Sequence, residues 1–209
     1  LGWLLASSVA QGLYMGLLGS AYRTGSLGVA YPISRGTAPL LVGLGGWLLL
    51  DETPSVATAT GLVVLVVGLL AVAGVGAQRS ERRSVVLAAV TGLCTVAYSL
   101  IDARSVDLTG ALGYLSVVMV LSSAGVLGIR RPTMARLRAA AGESVVIGLG
   151  QGGAYALVLL AFQRAQAGQV AGLRQVSVLL GVLIAREALG PRAAWGAVLV
   201  TVGAGLVVW

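Results

Sequence analysis

Arg35 is the only charged residue in a run from Leu27 to Leu50. A run of that length and apolarity reads as a bilayer-spanning helix, which needs about 20 residues. The arginine then lies at membrane depth, where a charge is costly and by default marks a substrate or ion path. Pro32 and Pro39 flank it. Proline has no N–H, so in a helix Pro39 leaves the carbonyl of Arg35 without its partner, and Pro32 does the same to Gly28. Unpaired backbone at that depth persists only when it is buried in protein or lines a wet cavity. The segment therefore brings together a guanidinium, the Tyr31 phenol, the Ser34 and Thr37 hydroxyls and free carbonyls.

The rest of the chain agrees. It is 57% hydrophobic with a mean hydropathy of +0.95, which excludes an ordinary soluble domain. The formal charge of +7 does not imply nucleic acid. All the basic residues are arginines, and they fall mostly in short loops between apolar runs, where membrane topology needs them. With so much Ala, Gly and Val, that usage fits a GC-rich genome. The expectation is a multi-pass protein of a bacterial plasma membrane, its partners the lipid bilayer and a small-molecule substrate. There is no histidine, hence neither the commonest general base nor the commonest metal ligand. Cys94 is the single cysteine, so no intrachain disulfide forms. No Gly-Lys-Ser/Thr follows any glycine cluster, which argues against ATP-driven transport. No metal and no cofactor are expected.

The apolar runs predict an all-α integral membrane fold with eight spanning helices here, near 1–22, 27–50, 55–77, 84–103, 110–128, 144–163, 168–186 and 192–209. Pro54 and Pro191 are placed in first turns, where the missing N–H costs nothing, with Thr53 and Gly190 as caps. Ala135–Ala141 reads as a short surface helix.

The chain also repeats itself. Gln11-Gly12 recurs as Gln151-Gly152, Ala21-Tyr22 as Ala161-Phe162, Gly28 as Gly168, Arg35 as Arg174 and Glu52 as Glu187. Gly61 and Gly68 recur as Gly196 and Gly203. Helices one to three thus match helices six to eight, while helices four and five have no upstream partners. A five-helix unit follows, divided as 1–77 (the last three helices of one unit) and 78–209 (a complete second one). The expectation is a fragment lacking roughly 55–60 residues at its start, from the repeat spacing. Five is odd, so the second unit enters the membrane inverted, a recurring design of secondary transporters.

Tyr31-Pro32-Ile33-Ser34-Arg35-Gly36-Thr37-Ala38-Pro39 resembles the tyrosine-proline…arginine-glycine…proline signature of the drug/metabolite transporter superfamily, EamA-like branch. Leu48-Leu49-Leu50-Asp51-Glu52 with Gly61 and Gly68, Leu173-Arg174-Gln175-Val176-Ser177-Val178, and Tyr98-Ser99-Leu100-Ile101-Asp102 are similar to further segments of that family. The resemblance covers essentially the whole chain. It implies a ten-helix carrier built from two inverted five-helix halves around a central cavity. Two positions depart from the pattern: Gln175 stands where the family often has glutamate, and Asp51 where it often has glycine. The first departure removes a possible proton-carrying group.

These readings predict a secondary transporter, not an enzyme, exporting a small organic metabolite by alternating access. Its cavity is expected to be lined by Gln11, Tyr14, Tyr31, Arg35, Tyr98, Gln151 and Tyr155, with Arg174 and Asp102 as secondary candidates. Arg35 would attract an anionic group, and the tyrosines would pack on apolar parts of the solute. The alternative is a membrane-embedded enzyme or flippase acting on lipid phosphates, with Arg35 and Arg174 as clamps. Glu52 and Glu187 read as structural helix-end residues. The paired glycines Gly61/Gly68 and Gly196/Gly203 read as close helix contacts, as do Gly148, Gly150, Gly152 and Gly153. Loop charge places the arginine-rich loops, and with them Ser80, in the cytoplasm and Thr53 outside; family precedent gives the reverse.

Overall fold

The computed structural model describes residues 1–24, 35–36, 38–72, 82–177, 180 and 191–209, with backbone only at 21–24 and 82–85. Among them there is no strand. In chain order the elements are α1 (Gly2–Thr24), α2 (Ala38–Leu49), α3 (Val56–Val72), α4 (Arg82–Ser105), a 3-10 turn (Val106–Leu108), α5 (Ala111–Arg130), α6 (Met134–Ala139), α7 (Ala141–Phe162), α8 (Ala167–Leu173) and α9 (Pro191–Val208). Among the described residues, four stretches are long and apolar enough to cross a membrane: Val86–Leu108, Ala111–Arg130, Ala141–Phe162 and Pro191–Val208. Their outer faces carry large apolar side chains such as Val120, Ile147, Leu149 and Trp195, as lipid contact requires.

Local chemistry sets the element ends. α2 stops where Asp51 turns left-handed (φ 57°) and the Glu52 N–H reaches back to the Gly46 carbonyl at 3.1 Å. Asp51 thus occupies the conformation for which glycine is the ordinary choice. α3 is capped by Ser55, whose Oγ accepts the Thr58 N–H at 3.0 Å. The predicted cap, Thr53, instead offers its carbonyl to the Gln166 side chain, so Pro54 precedes the helix and does not open it. α5 ends on left-handed Arg131, whose N–H bonds the Leu127 carbonyl just before Pro132. Pro191 opens α9 as expected.

Helices α1, α4, α5, α7 and α9 lie within three residues of their predicted ranges. The predicted helix over 168–186 differs. It forms α8 and then breaks into a turn at Arg174–Gln175 before Val176 and Ser177 resume helical form. The Gln175 side chain donates to the Ala171 carbonyl (3.1 Å), while its N–H takes the Gly172 carbonyl three residues back (3.0 Å). Ser177 Oγ caps the Arg174 carbonyl at 2.7 Å. Polar side chains that bond nearby backbone compete with the helical ladder, and here they tighten it into a 3-10 step.

Two interfaces organise the bundle. α3 and α9 run antiparallel, with Gly61 opposite Gly203 and Gly68 opposite Gly196. The second groups α1 with α4 and α5, and α2 with α4 and α8. Its core holds Val42, Tyr98, Tyr114, Val118, Tyr155 and Leu159. Both interfaces join elements from the two predicted repeat units.

Candidate substrate and ion site

Arg35 and Arg174 line one small cavity with Tyr14, Tyr98, Ser99 and Gln175. Its free volume is about 10 Å³, room for about one water. Helical spacing delivers the walls. Tyr14 comes from α1, Tyr98 and Ser99 from α4, and Arg35 from a helical turn just before α2. Arg174 and Gln175 come from the break after α8, so a cation and an interrupted backbone coincide.

The aromatic rings form a ladder. Tyr14 meets Tyr98 edge-on with centroids 5.7 Å apart, and Tyr98 meets Tyr155 edge-on at 6.0 Å. Such geometry sets a positive ring edge on a negative ring face. The Arg174 guanidinium lies 5.7 Å from the centroid of the Tyr155 ring, and its Nη2 donates to the Tyr98 hydroxyl at 3.4 Å. Arg35 lines the same cavity wall as Tyr14. The Arg174 guanidinium is therefore oriented by two phenols.

Behind the ladder lies Asp102, fully buried on α4. Ser7 from α1, Tyr114 from α5 (2.7 Å) and Tyr155 from α7 all donate to its carboxylate. Tyr155 thus links the carboxylate, through its hydroxyl, to Arg174, through its ring face. Among the described residues, four buried side-chain oxygens have no protein partner: Gln11 Oε1, Ser99 Oγ, Ser105 Oγ and Gln175 Oε1.

The structure brings together Tyr14, Arg35, Tyr98, Tyr155, Arg174 and Asp102 from the sequence-predicted set. Gln11 is buried on α1, one helical turn from Ser7. Gln151 is exposed on the outer flank of α7, apart from the cavity. Tyr31 and Glu187 lie outside the described residues. A side chain added at Gly148, Gly150, Gly152 or Gly153 would meet nothing, so the close helix contact expected there is absent from the described residues. Glu52 does sit at a helix end: its Oε1 accepts the Ala167 N–H at 2.7 Å and so caps α8 across the chain. Burial pushes this loop carboxyl up, against the pull of the Ala167 and Gly168 N–H groups.

Sequence reading missed Ser7 and Tyr114. Ser7 precedes Gln11 by one turn, so the polar face of α1 was a usable signal. Tyr114, a single phenol in an apolar first turn, carried none.

No family model matches the chain, and no curated protein does. Solved structures do. One, described only as the crystal structure of a protein, superposes with a TM-score of 0.74 over 98% of this chain and 76% of the other, at 17% identity. That likeness establishes a shared fold.

Proposed function

We propose that this chain is a secondary carrier of the drug/metabolite transporter type, in the EamA-like branch, moving a small organic anion across a bacterial plasma membrane by alternating access. The observation that carries it is the pair of guanidiniums, Arg35 and Arg174, lining one small cavity among apolar helices. A guanidinium fork suits a carboxylate or phosphate, and a cation at membrane depth marks a substrate path by default. The tight cavity corresponds to an occluded state, which must open to admit a solute. The helix break at Arg174 supplies a hinge of the kind carriers place at their binding sites.

The α3–α9 interface supports the inverted repeat. The sequence equates Gly61 with Gly196 and Gly68 with Gly203. The observed contacts are Gly61–Gly203 and Gly68–Gly196. Exchanging the two units turns one contact into the other, as a two-fold axis in the membrane plane would. On this reading eight segments span the membrane here, α2 and α8 forming parts of two of them.

Thermal stability of the purified chain against small carboxylates and organic phosphates tests the reading, because a ligand that binds the folded state raises stability. A hit should then enter proteoliposomes unchanged. Release of inorganic phosphate or another product would favour the lipid-phosphate enzyme instead.

A further inference from the structure

Asp102 is 0% exposed, and its three hydrogen bonds come from three different helices. Two further hydroxyls extend this cage. Ser99 and Ser105 stand three residues to either side of Asp102, on the same face of α4. Each is 1% exposed and has no protein partner. Ser99 lines the cavity beside Arg35 and Arg174. Ser105 closes α4 next to the loop at the membrane end. A buried carboxylate thus lies between two buried hydroxyls without protein partners, one of them on the cavity wall. Hydroxyls orient a buried charge but do not cancel it, and such a charge at membrane depth marks a proton or ion path by default.

The groups that face Asp102 are Ser7 from α1, Tyr114 from α5, Tyr155 from α7 and, beyond that ring, Arg174 from the end of α8. A metal cation would need acceptor oxygens and space. The cage points donors at the carboxylate and leaves it no exposed surface.

We propose that Asp102 is a proton-binding site, and that a proton bound there is coupled to the anion held between Arg35 and Arg174. The coupling rests on the carrier reading above. One proton arrives from water and no electrons move. An O–H bond forms on Asp102 Oδ2, and that oxygen stops accepting from Tyr155 and donates to its hydroxyl oxygen. Neutral Asp102 leaves the charge of Arg174 uncompensated, which favours an anion in the cavity. By reciprocity the anion favours the proton, so the two travel together.

Infrared difference spectra of the whole chain in lipid, recorded between acid and alkaline pH, test the site without any ligand. The expected result is a protonated-carboxyl band that appears on acidification, disappears in Asp102→Asn and moves in frequency in Tyr155→Phe. The last variant keeps the test open if Asp102→Asn does not fold. No Asp102-dependent or Tyr155-dependent band at any pH at which the protein stays folded overturns the proposal. Coupling is read with acetate and benzoate as probes, in weak buffer with an indicator dye. Proton uptake on mixing, lost in Asp102→Asn, supports it; carboxylate binding without proton uptake overturns the coupling. A titrating band with no binding of either carboxylate would keep the proton site and remove the anion reading.

Discussion

Gly68 and Gly196 approach so closely that a Cβ on either would stand 2.7 Å from the carbonyl oxygen of the other. Gly61 and Gly203 repeat the contact two turns away, with 2.8 Å and 2.7 Å in the same two directions. No side chain fits there without moving the backbone of the opposing helix. Gly68→Val or Gly196→Val should therefore cost about 1–3 kcal/mol by overpacking, read as a lowered midpoint of thermal unfolding in detergent. Gly152→Ala is the control: its site is open, and better helix propensity should leave stability unchanged or raise it by under about 1 kcal/mol. Equal behaviour of the two classes would mean that α3 and α9 are not locked by this seam.

Asp51 pays a left-handed backbone cost that glycine avoids. Asp51→Gly should stabilise the chain by about 1 kcal/mol, because the turn after α2 then adopts φ 57° without strain. The gain is offset in part by the greater freedom of glycine in the unfolded chain. Thermal unfolding of this one variant is sufficient; a clear loss would show that the Asp51 side chain holds the turn by a contact of its own.

Glu52 gives a pH dependence with a definite sign. Its folded-state carboxyl titrates higher than its ordinary value of 4.5, chiefly through burial. The folded state therefore favours the protonated form. This contribution is complete below pH 4.5 and is lost as pH rises through the raised folded value. Glu52→Gln keeps an acceptor for the Ala167 N–H and removes the charge, so it should erase that dependence while remaining folded. Glu52→Ala removes the cap itself and should cost about 1 kcal/mol at neutral pH. Unfolding midpoints of the three proteins across pH separate the two roles; a wild-type slope retained in Glu52→Gln would assign the dependence elsewhere.

The two arginines should separate transport from folding. Arg35→Ala is expected to abolish flux into proteoliposomes while the protein still expresses and unfolds cooperatively. Arg35→Lys should restore only part, since a point charge cannot replace a planar fork. Arg174→Ala removes the guanidinium near the Tyr155 ring and should weaken solute binding similarly. Full flux by the Arg35→Ala variant would sink the assignment of the cavity.

Much of this architecture was legible in the chain because lipid imposes length and apolarity on every spanning segment. Arg35, Arg174, Tyr14 and Tyr98 stood out for the same reason, since polar groups in such runs are few. The paired glycines were legible through their seven-residue spacing. The Asp102 cage was not. Its bonds to Ser7, Tyr114 and Tyr155 span 95, 12 and 53 residues of sequence, and no local period connects them. The outward placement of Gln151 and the glycines of α7 was equally hidden. A membrane helix is apolar on all sides, so lipid-facing and packed faces carry the same signal. The break at Arg174 depends on the Gln175 side chain choosing the Ala171 carbonyl, a competition that apolar patterning does not register.

Orientation follows from which ends carry charge. Arg130, Arg131, Arg136 and Arg138 cluster where α5, α6 and α7 meet, with Arg192 at the start of α9. At the opposite ends of the helices stand Arg104 and Arg164, together with the Glu52–Ala167 and Gln163–Asp107 contacts. The positive-inside rule puts the first set in the cytoplasm. Single cysteines at Thr133 and Thr53, both exposed, in a Cys94→Ala background should then label differently with a membrane-impermeant thiol reagent on intact cells. Thr53→Cys should react and Thr133→Cys should not until the cells are lysed. The reverse pattern would give the topology that the family resemblance implies. Equal labelling of both would mean insertion in two orientations, as happens when the loop charges do not decide topology.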